Sequence, residues 1–111
     1  MGYRSKVIIG VEKKHDKDLE KLLKKHDLIS DMGFKKVKKE DEEFSYYEGE
    51  YLKWYNEFDE VREVNEFIEE KYDPDYNDGA FLICLGEDGQ LHTEIGDYWD
   101  HVDYYSDIQI M

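Results

Sequence analysis

The sequence predicts an α+β fold, with two helices packed on a small, mainly antiparallel sheet, and three observations support it. Several short segments alternate apolar and polar residues with a period of two, as strands do. Two longer segments carry apolar residues at helical spacing. The turn sequence GEDG at 86–89 joins two of the strand-like segments closely enough for a hairpin. With 111 residues and no Pro-, Gly- or Ser-rich linker, the chain is expected to form one domain over residues 1–111.

The first third of the chain predicts a strand, a helix and a second strand. Apolar residues alternate in YRSKVIIGV (3–11), with Val7, Ile9 and Val11 on one face and the smaller apolar contribution of Ile8 on the other, which predicts a strand with one face well buried. Residues 16–28 predict a helix, with leucines at helical spacing, acidic residues near its start and lysines near its end. After a Met-Gly turn, residues 34–39 predict a short basic strand.

The middle of the chain predicts an irregular β segment followed by a long amphipathic helix. FSYYEGEYLKWY (44–55) indicates either a hairpin or a single strand bulged at Gly49, because the apolar alternation breaks there. NEFDEVREVNEFIEEKY (56–72) places its apolar residues on one helical stripe. Asn56 is a candidate N-cap, and Pro74 ends the segment.

The last third predicts three strands, which completes the order β-α-β-β-α-β-β-β. AFLICL (80–85) is expected to be central and buried on both faces. After the GEDG turn, Leu91, Thr93 and Ile95 are expected to share one face. Residues 102–110 alternate as one strand, with carboxylates on the solvent side. The predicted core includes Val7, Ile9, Leu22, Trp54, Val64, Phe67, Phe81 and Ile83.

Charge is divided unevenly along the chain, whose net charge is −14. Residues 1–39 carry 12 Lys and Arg against 6 Asp and Glu, a net of +6, whereas residues 40–111 carry 3 against 23, a net of −20. The acidic part repels polyanions and attracts basic partners, so direct nucleic-acid binding is not expected. The basic third could hold an acidic protein surface or a second copy of the chain, as a homodimer, through Lys13, Lys14, Lys17 and Lys21.

The predicted location is the cytoplasm. No segment approaches the roughly 20 apolar residues of a membrane helix, and the apolar stretch near the N-terminus is too short for a secretory signal. The single cysteine, Cys84, lies in an apolar run and is predicted to be a small buried side chain rather than a reactive thiol.

Carboxylates on the second predicted helix are the first functional candidates. Asp59, Glu63, Glu66 and Glu70 recur at steps of four, three and four, away from the apolar stripe. Like charges at this spacing oppose helix formation by about 0.2–0.5 kcal/mol per pair, so helix stability does not account for them. Carboxylates repeated roughly 5–7 Å apart have a spacing comparable to successive phosphates, which suggests mimicry of nucleic acid. Solubility alone is the competing explanation.

The segment DYWDHVDYYSD (97–107) adds a second set of candidates, in which carboxylates and aromatic rings are interleaved. Aromatic side chains supply apolar contact of the kind that protein interfaces favour. The candidate partner-binding residues here are the carboxylates Asp100, Asp103 and Asp107 and the rings of Tyr98, Trp99 and Tyr105.

Enzymatic alternatives have less support, and no cofactor, metal or catalytic residue is predicted. The His92, Asp97 and His101 region, with Asp100 and Asp103, offers donors for zinc or manganese, but the spacing matches no known motif. DPDYNDG (73–79) begins like a calcium loop but lacks the required glycine and closing glutamate. Cys84 and His92 become neighbours only if their strands pair. A regulatory or assembly protein acting through ordinary protein contacts also remains open.

Three stretches resemble a known group of proteins: MGYRSKV at the start, LKWYNEFDEV entering the second helix, and LICLGEDG opening the late hairpin. The chain is similar in these to a family of short, mostly uncharacterised bacteriophage and prophage proteins. The resemblance implies a small α+β protein made in an infected bacterial cell and brings no catalytic residues. By analogy with acidic phage inhibitors of the anti-CRISPR and anti-restriction type, the expected partner is a basic, nucleic-acid-binding host defence protein or complex.

Overall fold

A five-stranded antiparallel sheet forms the centre of the structure. The structure is a computed structural model, and it describes residues 4–26, 28, 33–37, 43–55, 57–72, 79–96, 98, 102–104 and 108–110. The strands of the sheet are β1 (Ser5–Glu12), β2 (Lys35–Val37), β3 (Phe44–Leu52), β4 (Ala80–Gly86) and β5 (Leu91–Ile95), in the spatial order β2-β3-β1-β4-β5. Two helices, α1 (Lys13–Lys25) and α2 (Asp59–Lys71), and two further strands, β6 (Val102–Tyr104) and β7 (Ile108–Ile110), complete the described elements. The predicted α+β class is confirmed.

The two faces of the sheet are covered by different parts of the chain. Both helices pack on one face, where Leu19, Leu23, Val64 and Ile68 join a core cluster with Val7 and Ile9 of β1. On the opposite face, a second cluster includes Tyr98, Val102 and Ile108. The helices and the β6–β7 strands therefore lie on opposite sides of the sheet.

Because both faces are covered, the central strand β1 is buried more completely than predicted. The predicted face of Val7, Ile9 and Val11 is fully buried, and Ile8 is fully buried as well, in the second cluster on the opposite face. Every residue of β4 is buried, as predicted. The strand is not the middle one, however, since it lies between β1 and β5.

Most predicted core residues are buried, and the two exceptions lie on the helices. Leu22 of α1 and Phe67 of α2 are only partly buried against the first cluster. Helical spacing placed them correctly on the apolar side of each helix but at its margin, where the neighbouring helix does not close over them completely.

The helix boundaries differ from the predicted ones by a few residues. α1 begins at Lys13 rather than Asp16, directly after β1, and the Lys13 N–H donates to the Glu43 carbonyl at 2.9 Å. α2 begins at Asp59, since a turn with a 3.0 Å hydrogen bond from the Phe58 N–H to the Tyr55 carbonyl precedes it. The proposed N-cap Asn56 lies outside the described residues. Neither described helix is long and apolar enough to cross a membrane.

Bulges explain where the simple strand alternation fails. The segment from residue 44 is one strand, and its pairing with β1 shifts just after Gly49, so the bulged-strand alternative is confirmed. In the β4–β5 hairpin, Leu91 pairs with Leu85 and Thr93 with Cys84, which leaves His92 as an extra residue. Leu91 therefore packs on the second cluster while Ile95 packs on the first, and the predicted shared face of Leu91, Thr93 and Ile95 is wrong.

The C-terminal segment forms two short strands rather than one. Val102 pairs with Ile110 and Tyr104 with Ile108 in an antiparallel ladder, and residues 105–107 lie outside the described part of the chain. The predicted alternation still holds at residues 102–103, because Val102 is buried and Asp103 is exposed.

Candidate functional site

The helix α2 presents carboxylates outward because its other side is buried. Val61, Val64 and Ile68 are fully buried against the sheet. Helical periodicity places residues 59, 63, 66 and 70 on the opposite side. Asp59, Glu66 and Glu70 are exposed, and Glu63 is partly exposed. The structure thus brings these four predicted carboxylates together on one helix face.

Two of the four carboxylates have hydrogen-bonding partners within the chain. Asp59 accepts a hydrogen bond from the Arg62 guanidinium. Glu63 Oε2 lies 2.6 Å from His26 Nε2 and 3.6 Å from Lys25 Nζ, at the end of α1. The hydrogen bond from His26, assisted by the charge of Lys25, lowers the pKa of Glu63. Glu63 therefore links the two helices as well as contributing negative charge.

The remaining two carboxylates are the most available to a partner. Glu66 is exposed and makes no hydrogen bond or ion pair with the described part of the chain. Glu70 is 75% exposed, and its closest cation is Lys71 Nζ at 3.7 Å. An exposed pair at that distance contributes little, so Glu70 can change partners at small cost.

The C-terminal candidates do not join this face. Tyr98 is 2% exposed, lies in the second core cluster and donates its hydroxyl hydrogen bond to Glu94. Its predicted role as a surface anchor is therefore wrong, because its ring is part of the core. Asp103 is exposed on β6, on the side of the sheet away from α2. The other four candidates, Trp99, Asp100, Tyr105 and Asp107, lie outside the described residues.

Of the residues proposed as metal ligands, His92 and Asp103 belong to the described part of the chain. His92 Nε2 donates to Asp88 Oδ1 at 3.0 Å, an ordinary exposed pair in the β4–β5 hairpin. Within the described ranges, no three His, Cys, Asp or Glu side chains lie close enough together to hold a metal ion. Asp97, His101 and the proposed calcium loop fall outside those ranges.

A cleft near the bulge at His92 was not foreseen from the sequence. It has a volume of about 400 Å³, and its lining includes Trp54, Cys84, His92 and Thr93. Burial raises the pKa of the Cys84 thiol, against a smaller opposing effect of a hydrogen bond with Ser5, so the thiolate needed for nucleophilic attack is disfavoured. Pairing of the two strands does bring Cys84 and His92 to one cleft, but the environment of the thiol opposes that chemistry.

The fold is that of a small α+β protein with an antiparallel sheet. The acidic face of α2 is the strongest candidate site among the described residues. Comparisons with protein-family models, curated proteins and solved structures found no match. The resemblance to phage proteins and every functional assignment drawn from it therefore stay predictions.

Proposed function

We propose that the protein is a phage-encoded acidic inhibitor that binds a basic, nucleic-acid-binding host defence protein or complex in the bacterial cytoplasm. The outward face of α2 occupies the surface where the partner holds DNA or RNA. The observation that carries this proposal is the row of carboxylates on α2, of which Glu66 and Glu70 are exposed and lack strong partners.

The geometry supports mimicry because the carboxylates recur once per helical turn on a rigid element. Residues three and four apart on a helix lie about 5–6 Å apart at Cβ, and a row of Lys or Arg that contacts successive phosphates can contact them. α2 is fixed to the sheet by Val61, Val64 and Ile68. The backbone positions that carry the charges are therefore fixed, so binding need not order the helix itself.

Binding should be electrostatic, and this gives the proposal its test. The wild-type chain, immobilised, is used to capture a partner from a bacterial host lysate, and the captured complex is then challenged with DNA, RNA and rising salt. We expect nucleic acid to displace the chain and affinity to fall as salt screens the contact. A captured partner that has no nucleic-acid-binding surface would contradict the mimicry.

Matched charge reversals locate the contact. Glu66→Lys combined with Glu70→Lys should abolish capture, because it brings the charge of the four-carboxylate face from −4 to 0 and places two cations against a basic partner. Glu43→Lys combined with Glu50→Lys changes the net charge equally at exposed positions outside α2 that are not predicted to bind the partner, and should leave capture intact. Equal losses with both pairs would show that total charge, rather than the α2 face, determines binding.

A further inference from the structure

The outer face of α1 has the opposite charge to that of α2. The helix Lys13–Lys25 holds six lysines against three acidic residues, a net of +3. Asp16 is turned away from solvent toward β2 and β3, where it accepts hydrogen bonds from Lys36 and Tyr47 at 2.6 and 2.7 Å. The exposed lysines, named here the basic strip, are Lys13, Lys14, Lys17, Lys21, Lys24 and Lys25.

The corresponding exposed carboxylates of α2 form an acidic strip. α2 holds six acidic residues against Arg62 and Lys71, a net of −4. The acidic strip consists of Asp59, Glu66, Glu69 and Glu70.

The two strips lie side by side on one surface. α1 and α2 pack on the same face of the sheet and contact each other. The end of α1 meets the first half of α2 through the His26–Glu63 contact at 2.6 Å. The Glu12 N–H, directly before α1, donates to the Gly79 carbonyl at 2.9 Å, and Gly79 lies against the backbone of Lys71 at the end of α2, where an added Cβ would be 2.1 Å from the Lys71 carbonyl oxygen. The helices therefore run antiparallel, and the helical surface is basic along one half and acidic along the other.

Such a surface is complementary to itself under one particular symmetry. Two copies that face each other across a two-fold axis parallel to the helices place each basic strip over the acidic strip of the other copy. A two-fold axis that also lies between the two faces but runs perpendicular to the helices would instead place lysines over lysines and carboxylates over carboxylates. The charge pattern therefore favours one arrangement and opposes the other.

We propose that two copies of the chain pair through their helical faces, with α1 of each copy on α2 of the other. Leu22 and Phe67, one on each helix, are only partly buried and supply apolar surface to the contact. A shallow groove of about 310 Å³ is lined by Lys17, Lys21 and Lys24 together with Glu20, which pairs with Lys24 at 2.8 Å. Three lysines against one glutamate leave the groove net positive, so it suits a carboxylate side chain of the second copy. The pairing covers the acidic strip, so a second copy and a basic partner compete for α2.

Salt dependence follows from the balance of two electrostatic effects. The net charge of −14 on each copy repels the other at long range. At about 0.1–0.15 M salt this repulsion is screened beyond about 8–10 Å, while contacts between the strips persist. At about 1 M salt the screening length falls to about 3 Å and the contacts weaken as well. The dimer is thus expected at moderate salt and is lost at high salt.

Sedimentation equilibrium of the purified chain alone tests the pairing and does not depend on the proposed function. We expect a reversible dimer at about 0.1–0.15 M salt over concentrations up to about 1 mM, and monomer at about 1 M salt. Monomer throughout the moderate-salt series would overturn the proposal, and so would chains longer than a dimer, since these require head-to-tail contact.

Charge reversal on either helix provides the decisive comparison. Lys17→Glu with Lys21→Glu changes the net charge of α1 from +3 to −1, and Glu66→Lys with Glu70→Lys changes that of α2 from −4 to 0. Either pair of substitutions therefore removes the attraction between α1 of one copy and α2 of the other. Each variant alone should dissociate at least about tenfold more readily than wild type. An equal mixture of the two should form a heterodimer, because one of its two contacts then joins an unsubstituted α1 to an unsubstituted α2.

A matched control separates the strips from total charge. Lys35→Glu with Lys53→Glu makes the same charge change at exposed positions outside α1 and should keep the wild-type dimer. Circular dichroism confirms that each variant is folded. Failure of the two reversed variants to combine, or equal loss in the control, would refute the pairing.

Discussion

Individual residues of the sheet were predictable where a single rule governs them. The alternation of β-branched residues placed Val7 and Ile9 in the core, and both are fully buried. Tyr98 was wrongly predicted to lie at the surface. Its local sequence is rich in carboxylates and aromatic rings, which is equally compatible with a surface residue and with a core residue whose hydroxyl donates to a carboxylate. The sequence contains no signal that separates those two environments, since the cluster that covers Tyr98 comes from distant strands.

Gly10 shows a residue-scale requirement that only the packing reveals. It pairs with Phe81 on β4, and a Cβ at Gly10 would lie 2.1 Å from a carbon of the Phe81 ring. The ring itself is held by Phe44 and Tyr46, with centroids 6.4 and 6.2 Å away. The absence of a side chain at Gly10 therefore lets the ring lie across the central strand.

We expect Gly10→Ala to lower the free energy of unfolding by about 1–3 kcal/mol, the usual cost of overpacking a core. Urea denaturation measures this change in the free energy of unfolding. Phe81→Leu removes the ring and should relieve the clash, so the variant with both Gly10→Ala and Phe81→Leu should be more stable than the sum of the two single effects predicts. Simple additivity would show that the ring is not the obstacle.

At the scale of elements, the type of each segment was predictable and the register was not. Helical and strand periodicities found the segments up to β5, because apolar spacing reflects which side faces the core. The extra residue His92 in β5 puts the side chains of Leu91 and Thr93 on opposite faces of the sheet. The position of this bulge depends on how β4 and β5 align rather than on either sequence alone. The division of the last segment into β6 and β7 likewise depends on the pairing of Val102 with Ile110.

The contact between α1 and the β2–β3 pair depends on one carboxylate. Burial alone would raise the pKa of Asp16, but hydrogen bonds from Lys36 and Tyr47 outweigh burial and lower the pKa. Burial, and then the hydrogen bond to the same carboxylate, raise the pKa of Tyr47, so its hydroxyl remains a donor. The pKa of Asp16 is therefore lower in the folded state than in the unfolded state. Ionised Asp16 stabilises the fold fully at pH values above the unfolded-state pKa, and this stabilisation is lost as the pH falls through the folded-state pKa.

Asp16→Asn should therefore cost about 1–2 kcal/mol of unfolding free energy at pH 7, since hydrogen bonds to a charged acceptor become neutral ones. The difference from wild type should shrink below about pH 4, as the wild-type carboxyl is itself protonated. Urea denaturation at pH 7 and pH 3 checks this. A constant difference at both pH values would mean that ionisation of Asp16 does not contribute.

For the whole molecule, the uneven charge was predictable from the sequence, but its arrangement in space was not. Counting residues separates a basic first third from an acidic remainder. The structure shows that this division falls between two adjacent helices, with the basic strip beside the acidic one. It also separates Asp103 from α2 by the sheet, so carboxylates that the sequence grouped by composition belong to different surfaces.

Two substitutions of equal charge change test whether global charge or local position controls stability. Glu70 lies in the last turn of α2, where a negative charge opposes the helix dipole, and it repels Glu66 one turn earlier. Asp59 lies in the first turn, where a negative charge is favourable, and it bonds to Arg62. Glu70→Lys and Asp59→Lys each change the net charge from −14 to −12, since each replaces −1 by +1.

If self-repulsion of the whole acidic molecule dominated, both substitutions would stabilise the fold. We expect opposite signs instead: Glu70→Lys should raise the free energy of unfolding by about 1 kcal/mol, and Asp59→Lys should lower it by about the same amount. Urea denaturation at low ionic strength and dilute protein, where self-association is absent, measures both. A destabilising Glu70→Lys would contradict the interpretation that this carboxylate is kept at a cost to helix stability, and would remove one reason to regard the α2 face as a binding surface.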